Sequence, residues 1–129
     1  MSGFSFKKGE RITSRKILSS LFTKGESVYV HPLRILYRLS SGDRYPAAFA
    51  VSVPKRLFGK AVDRNLLKRR IREAYRMKKP GFYSGLNAMG RQVQLVILYQ
   101  DQKKFDYFSI EDALRKGLEK LLQEISGIH

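Results

Sequence analysis

The chain has 129 residues, with 26 Lys and Arg against 11 Asp and Glu and a formal net charge of +15. This length fits one domain with its own core, and a 43% apolar share excludes a largely disordered chain. The lack of cysteine excludes a disulfide framework and a thiolate metal site. The excess of positive charge predicts a phosphate-bearing partner or an anionic membrane surface.

The apolar residues are distributed in short runs. None approaches the roughly 18 residues that cross a bilayer, and the N-terminus lacks the apolar stretch of a secretory signal. We therefore expect a cytoplasmic protein without a membrane partner, and a nucleic acid as the binding partner. Residues 1–129 are predicted to form a single domain that binds nucleic acid, in which residues 1–8 are flexible.

A first helix is predicted to begin after Thr13 or Ser14 and to end at Gly25 in the left-handed conformation typical of a helix end. Its apolar side comprises Ile17, Leu18, Leu21 and Phe22. Two alternatives remain open for Phe22, which is either a core residue or a partly exposed platform for stacking.

Residues 28–40 and 46–53 have the alternating pattern of strands, with Pro32 at an edge or a bulge. In the first, Leu33, Ile35, Tyr37 and Leu39 share one face. In the second, small residues share a face that leaves room for a packed helix or a ligand: Ala48, Ala50 and Ser52. The apolar run 93–99 predicts a central strand, and a last helix is expected after Ser109.

The stretch from Lys55 to Lys79 concentrates the charge, with eleven basic and two acidic residues. A helix is predicted here, with Asp63 as its N-cap. Pro80-Gly81 is expected to end it, because proline cannot continue the hydrogen-bonded ladder. Residues 80–92 are then interpreted as a loop.

This helix has two distinct sides. Its apolar side is formed by Leu67, Ile71, Ala74 and Tyr75, and a separate, mostly basic side is about 24 Å long. The mostly basic side contains Arg64, Asn65, Lys68, Arg69, Arg72, Arg76 and Lys79. Most charge runs are simply solvated, but such faces mix signs because like charges four residues apart repel. A face that binds a polyanion is therefore favoured.

No catalytic site or protein-borne metal site is predicted. His31 and His129 are the only histidines, and without cysteine they cannot build a usual zinc site. The acidic pairs Asp101/Asp106 and Glu111/Asp112 are better explained by helix capping and solvation. No phosphate-binding loop or nucleophile motif occurs.

The run from Lys60 to Arg76, KAVDRNLLKRRIREAYR, resembles the "RNR" signature of the protein subunit of bacterial ribonuclease P. Upstream matches are Arg11-Ile12, Leu21-Phe22, Gly25, Tyr37 and the run from Val51 to Arg56, so that the resemblance covers residues 9–125. Two positions depart from the family pattern: Leu66 stands where a third signature arginine is common, and Leu18 where relatives often have an aromatic residue.

The resemblance implies the fold and the function. The fold would be α+β, like domain 2 of ribosomal protein S5: a small, mostly antiparallel sheet of about four strands, three helices and a left-handed crossover containing the basic helix. With a catalytic RNA that carries the active site, the protein would remove the 5′ leader of precursor tRNA in a Mg²⁺-dependent endonucleolytic reaction. No DNA partner is expected.

The resemblance also implies two sets of site residues. Those facing the catalytic RNA would be Arg64, Asn65, Lys68, Arg69, Arg72 and Arg76. Those lining a cleft for the single-stranded leader would be Leu18, Phe22, Tyr37, Ser52 and Lys55. The alternative function is a ribosomal-protein-like RNA-binding module without a processing role. A protein-only nuclease is disfavoured because no carboxylate cluster is evident.

Overall fold

A computed structural model of the chain describes residues 6–127. Predictions made for residues 1–5 and for His129 lie outside this range. A short 3₁₀ helix at Lys8–Glu10 precedes the helices α1 (Arg15–Lys24), α2 (Ala61–Met89) and α3 (Tyr107–Ser126) and the strands β1 (Glu26–Val30), β2 (Leu33–Ser40), β3 (Ala47–Ser52) and β4 (Gln92–Tyr99).

The four strands form one sheet in the order β1-β2-β4-β3. The pairs β1–β2 and β2–β4 are antiparallel, whereas β3 and β4 are parallel and are connected by α2. The predicted α+β fold with four strands and three helices is confirmed. The run 93–99 is also confirmed as a central strand, because β4 lies between β2 and β3.

The two faces of the sheet bury different helices. On one face, alternate strand residues such as Ile35, Phe49 and Leu95 join the apolar sides of α2 and α3 in the main core. On the other face, Val96 packs with Leu21 of α1 in a smaller cluster. Among the helices of residues 6–127, α1 packs on this second face together with Ile12 from the preceding segment, and part of the sheet stays open beside them.

The first predicted strand, 28–40, is two strands. The chain turns at His31-Pro32, whose peptide bond is cis, and β1 and β2 pair as a hairpin from Glu26↔Tyr37 to Val30↔Leu33. Proline has no N–H to give to a ladder, and it occupies the turn rather than an edge or a bulge.

The prediction that the basic helix ends at Pro80-Gly81 is wrong. Helix α2 continues to Met89 with Pro80 inside it. The apolar periodicity continues past the proline, with Phe82 3% and Leu86 0% exposed in the main core. Burial of these side chains outweighs the local cost of the proline, and Gly90 ends the helix in the left-handed conformation at φ 64°.

Three predicted helix ends also differ. Gly25 is extended at φ −74°, not left-handed, and glycine is needed there because a Cβ would lie 2.5 Å from the Leu21 carbonyl oxygen. Helix α2 begins at Ala61, so that Asp63 lies in its first turn and pairs with Lys104 at 3.2 Å. Helix α3 begins two residues before Ser109, whose amide donates to the N-cap Asp106 at 2.8 Å.

Candidate nucleic-acid interface

The solvent side of α2 carries cations that the rest of the described chain leaves unpaired. The side chains of Asn65, Lys68, Arg69 and Arg72 make no hydrogen bond or ion pair within residues 6–127. Their apolar counterparts on the helix, Leu67 among them, are fully buried. The six residues assigned from the sequence therefore form one surface, which we call the basic face: Arg64, Asn65, Lys68, Arg69, Arg72 and Arg76.

Two members of the basic face have partners. The Nη1 atom of Arg64 donates to the carbonyl oxygens of Phe58 and Gly59 at 2.9 and 3.0 Å, which ties the helix to the loop before it. Arg76 contacts Glu73 through two hydrogen bonds, of 3.1 and 2.5 Å. These bonds lower the pKa of Glu73, so that it stays ionised and offsets part of the charge at this end of the face.

Lys79, predicted to share this side of α2, points inward instead. It is 6% exposed, its Nζ lies 3.0 Å from Oε1 of Glu10, and it lies over the ring of Phe6 at 5.2 Å. The hydroxyl of Tyr83 donates to the same Glu10 oxygen at 2.6 Å. Burial acts to raise the pKa of Glu10, but the bonds from Tyr83, the Lys7 amide and Lys79 together lower it. Lys79 therefore anchors the N-terminal segment.

That segment forms one wall of an open cleft of about 540 Å³. Helix α1 contributes Leu18, β3 contributes Ala50, and α2 contributes Arg72 of the basic face. The full lining is Phe6, Arg11, Ile12, Thr13, Leu18, Phe49, Ala50, Val51 and Arg72. The cleft thus lies between the first helix, β3 and α2, and its lining mixes apolar surface with two arginines.

Three other residues assigned to this cleft are outside its lining but are at least partly exposed. Phe22 follows Leu18 by one helical turn, on the same side of α1, and is 50% exposed. This exposure favours the stacking platform over the core residue. Ser52 shares the α1 side of β3 with Ala50 because strand residues alternate, and Lys55 is exposed in the loop that follows.

Tyr37 is the exception, and its placement in the cleft is corrected. It is 3% exposed, belongs to the main core, and donates its hydroxyl to Oε1 of Glu124 on α3 at 2.7 Å. Adjacent residues of a strand point to opposite faces, and the preceding Leu36 packs with the α1 cluster. The Tyr37 side chain therefore lies across the sheet from the cleft.

Sequence reasoning missed Phe6 and Arg11. The Phe6 ring packs on Phe49 at 4.8 Å between centroids. The backbone of Arg11 forms an isolated parallel β-bridge with Phe49. Their position depends on pairing with a strand almost forty residues later. The local sequence indicates only that the segment before α1 contains basic and apolar residues.

Residues 6–127 include no group of three or more His, Asp and Glu side chains that could hold a metal ion. His31 pairs with Asp101 at 2.5 Å at an exposed site, and no third metal-ligating side chain joins them. In the same range, no helix is long and apolar enough to cross a membrane.

Comparisons with known proteins point to one family. A family model described as Ribonuclease P matches residues 6–122. A ribonuclease P protein component from Porphyromonas gingivalis is 34% identical over 116 residues, which are 89% of this chain and 85% of that protein. One from Petrotoga mobilis is 34% identical over 121 residues, 94% and 98% of the two chains.

Solved structures share the fold. The RNase P protein of Staphylococcus aureus matches with a TM-score of 0.71 at 22% identity, covering 87% of this chain and 94% of that one. That of Thermotoga maritima matches with a TM-score of 0.67 at 23% identity, covering 86% and 96%. The family model and the sequence relatives favour ribonuclease P over the ribosomal-type alternative, and the chain belongs to the family of ribonuclease P protein components.

Proposed function

We propose that the protein binds the catalytic RNA of ribonuclease P through the basic face and holds the 5′ leader of precursor tRNA in the cleft. In this assembly it assists the Mg²⁺-dependent endonucleolytic removal of the leader in the cytoplasm. The observation that carries the proposal is the position of Arg72, which belongs to the basic face and also lines the cleft.

The basic face suits structured RNA. Side chains cannot read the deep, narrow major groove of an RNA helix, so recognition depends on shape and on phosphate contacts. A rigid helix presents Lys68, Arg69 and Arg72, and no carboxylate of the described residues forms an ion pair with them. Arginine adds two-pronged hydrogen bonds to phosphate, which lysine cannot make. Asn65 can donate its amide to a phosphate or a 2′-hydroxyl.

The cleft suits a single strand of variable sequence. Contacts that tolerate any base are aromatic or apolar stacking surfaces combined with cations that follow the phosphates. Leu18, Ala50 and the nearby Phe22 supply the apolar surface, while Arg11 and Arg72 supply the charge. No base-specific set of donors and acceptors is needed for this mode of binding.

The protein's part in the reaction is binding and orientation. By holding leader phosphates at Arg72 and neighbouring cations, it would fix the scissile bond relative to the catalytic RNA. Residues 6–127 hold no group of three or more His, Asp and Glu side chains that could enclose a metal ion, and Mg²⁺ is commonly held by phosphates and water with one or two carboxylates. We propose that Mg²⁺ is held mainly by RNA phosphates, where it would supply charge stabilisation and activation of water.

Reconstitution tests this function. Precursor tRNA is incubated with Mg²⁺ and the protein, with the catalytic RNA, or with both. We expect the protein to lower the KM of the RNA-catalysed reaction at physiological salt, and to cleave nothing alone. Cleavage by the protein alone, or equal affinity of the complex for precursor and leaderless tRNA, would contradict the proposal.

A further inference from the structure

One cross-strand row of the sheet leads away from the cleft. Ser52 on β3 pairs with Leu98 on β4, Leu98 with Arg34 on β2, and Arg34 with Tyr29 on β1. Residues paired across neighbouring strands point to the same face, and these four lie on the α1 side of the sheet. The row spans three strand spacings, about 14 Å, from the rim of the cleft to the sheet edge.

At the far end of the row, an aromatic ring and a guanidinium group form an exposed pair. Tyr29 is 41% exposed, and the Cζ atom of Arg34 lies 5.0 Å from its ring centroid. Two neutral groups fix the guanidinium: its Nε donates to Oε1 of Gln100 at 3.0 Å, and its Nη1 to Oγ of Ser27 at 3.1 Å. The guanidinium plane is therefore held against the Tyr29 ring before any ligand arrives.

The charge of Arg34 is not compensated. Its described partners are two neutral oxygens and an aromatic face, and no carboxylate among residues 6–127 lies within ion-pair distance of it. If Arg34 only stabilised the edge hairpin, it would not require an exposed tyrosine ring against its guanidinium group. Aromatic rings and arginine planes are the surfaces on which unstacked bases lie, and an unpaired guanidinium also attracts phosphate.

From this arrangement we infer that Tyr29 and Arg34 form a second binding site for single-stranded RNA, which takes leader nucleotides beyond those in the cleft. The inference rests on the proposed function, since the cleft must hold the leader for the row to extend it. The leader runs across the sheet along the row. Its outer nucleotide stacks on the Tyr29–Arg34 pair with a phosphate beside the guanidinium.

The test uses the reconstituted complex and precursor tRNAs whose leaders are lengthened one nucleotide at a time. With the unaltered protein, affinity should rise with leader length and then level off. Tyr29→Leu should make affinity level off at a shorter leader and weaken binding of the long-leader substrates about five- to fiftyfold, as expected for one lost stack. Short-leader substrates should bind as before.

Other variants distinguish the contribution of the Tyr29 ring from that of the Arg34 charge. Tyr29→Phe keeps the ring and should retain the affinity for long leaders. Arg34→Gln should weaken binding of long leaders and reduce its salt dependence by about one unit of slope. Phe108→Leu removes an aromatic residue that is 74% exposed on α3, away from this face of the sheet, and should change nothing.

Two outcomes would overturn the inference. One is an unchanged leader-length profile in Tyr29→Leu. The other is equal weakening at every length, which would mean that the pair binds the catalytic RNA or supports the fold. Failure of the proposed function looks different, because leader length would then not affect binding even in the unaltered protein.

Discussion

The Nζ atom of Lys79 lies 3.0 Å from Oε1 of Glu10, and both side chains are buried. The pair joins α2 to the 3₁₀ helix 69 positions earlier in the chain. That short helix leads directly into Arg11 and Ile12, which line the cleft. A cation within the most basic segment of the protein is thus used to hold a wall of the binding site.

Lys79→Met should therefore destabilise the protein without removing an RNA contact. Breaking a buried ion pair leaves an uncompensated charge and costs about 3–5 kcal/mol of unfolding free energy, measured by urea denaturation. Lys78→Met is the matched control, since Lys78 is partly exposed and 4.0 Å from Glu111, and such pairs contribute about 0–1 kcal/mol. Equal costs for the two variants would show that the Glu10 pair is not important.

The same pair predicts how stability depends on pH. The pKa of Glu10 is lower in the folded chain than its ordinary value of 4.5. Ionised Glu10 therefore stabilises the fold above that value, and this contribution disappears as the pH falls through the lowered folded pKa. Unfolding free energies measured between about pH 6 and pH 3 should decline less steeply for Glu10→Gln. An identical decline in both proteins would count against this view.

Two arginines on α2 are expected to have different roles, one in RNA binding and the other in packing. Arg72 is exposed, lines the cleft and has no partner in the described range, whereas the Nη1 of Arg70 donates to the Phe105 carbonyl at 2.6 Å. Arg72→Ala should lower affinity for the catalytic RNA and reduce the salt slope by roughly one. Arg70→Ala should instead lower stability, with an unchanged slope. If Arg70→Ala reduced the salt slope and Arg72→Ala did not, the RNA would lie against the side of α2 that carries Arg70.

Arg64→Ala should combine both effects. It removes a cation, and it also frees the carbonyl oxygens of Phe58 and Gly59 from their donor. We expect a salt slope reduced by roughly one together with about 0.5–1.5 kcal/mol lower stability. Measuring affinity and urea unfolding on the same variant distinguishes this from Arg72→Ala, for which stability should hardly change.

Phe22 and Tyr37 test the two faces of the sheet. Phe22→Ala should weaken binding of leader-bearing precursor by about 1–3 kcal/mol if a base stacks on the ring, and leaderless tRNA should be unaffected. Tyr37→Phe loses only the hydrogen bond to Glu124, so it should cost about 0.5–1.5 kcal/mol of stability and no leader affinity. A selective loss of leader binding in Tyr37→Phe would restore Tyr37 to the cleft.

The sequence predicted the site where local pattern decides position. Helical periodicity separated Leu67 and Ile71 from the basic residues, and the structure buries the first set and leaves most of the second set facing solvent. Strand alternation had grouped Tyr37 with Leu33 and Ile35, and it was the resemblance that moved Tyr37 to the cleft. Periodicity could not reveal that Lys79 points inward, because its partner Glu10 is distant in the chain.

Pro80 shows the same limit at the level of the backbone. A proline in a helix interior removes one hydrogen bond and costs about 3 kcal/mol relative to alanine. Sequence rules therefore ended α2 there. The structure continues the helix because Phe82 and Leu86 are buried in the main core on the next turns.

If burial carries the helix through an unfavourable residue, replacing that residue should stabilise the protein. Pro80 is exposed, so Pro80→Ala removes no packing and restores the N–H that the ladder lacks. We expect a gain of about 1–3 kcal/mol in urea unfolding, with unchanged RNA affinity, because Pro80 lies outside the basic face. Ser84→Ala, exposed one turn later in α2, should gain only about 0.5 kcal/mol. A loss of stability in Pro80→Ala would mean that the helix breaks at Pro80, as the sequence rules predicted.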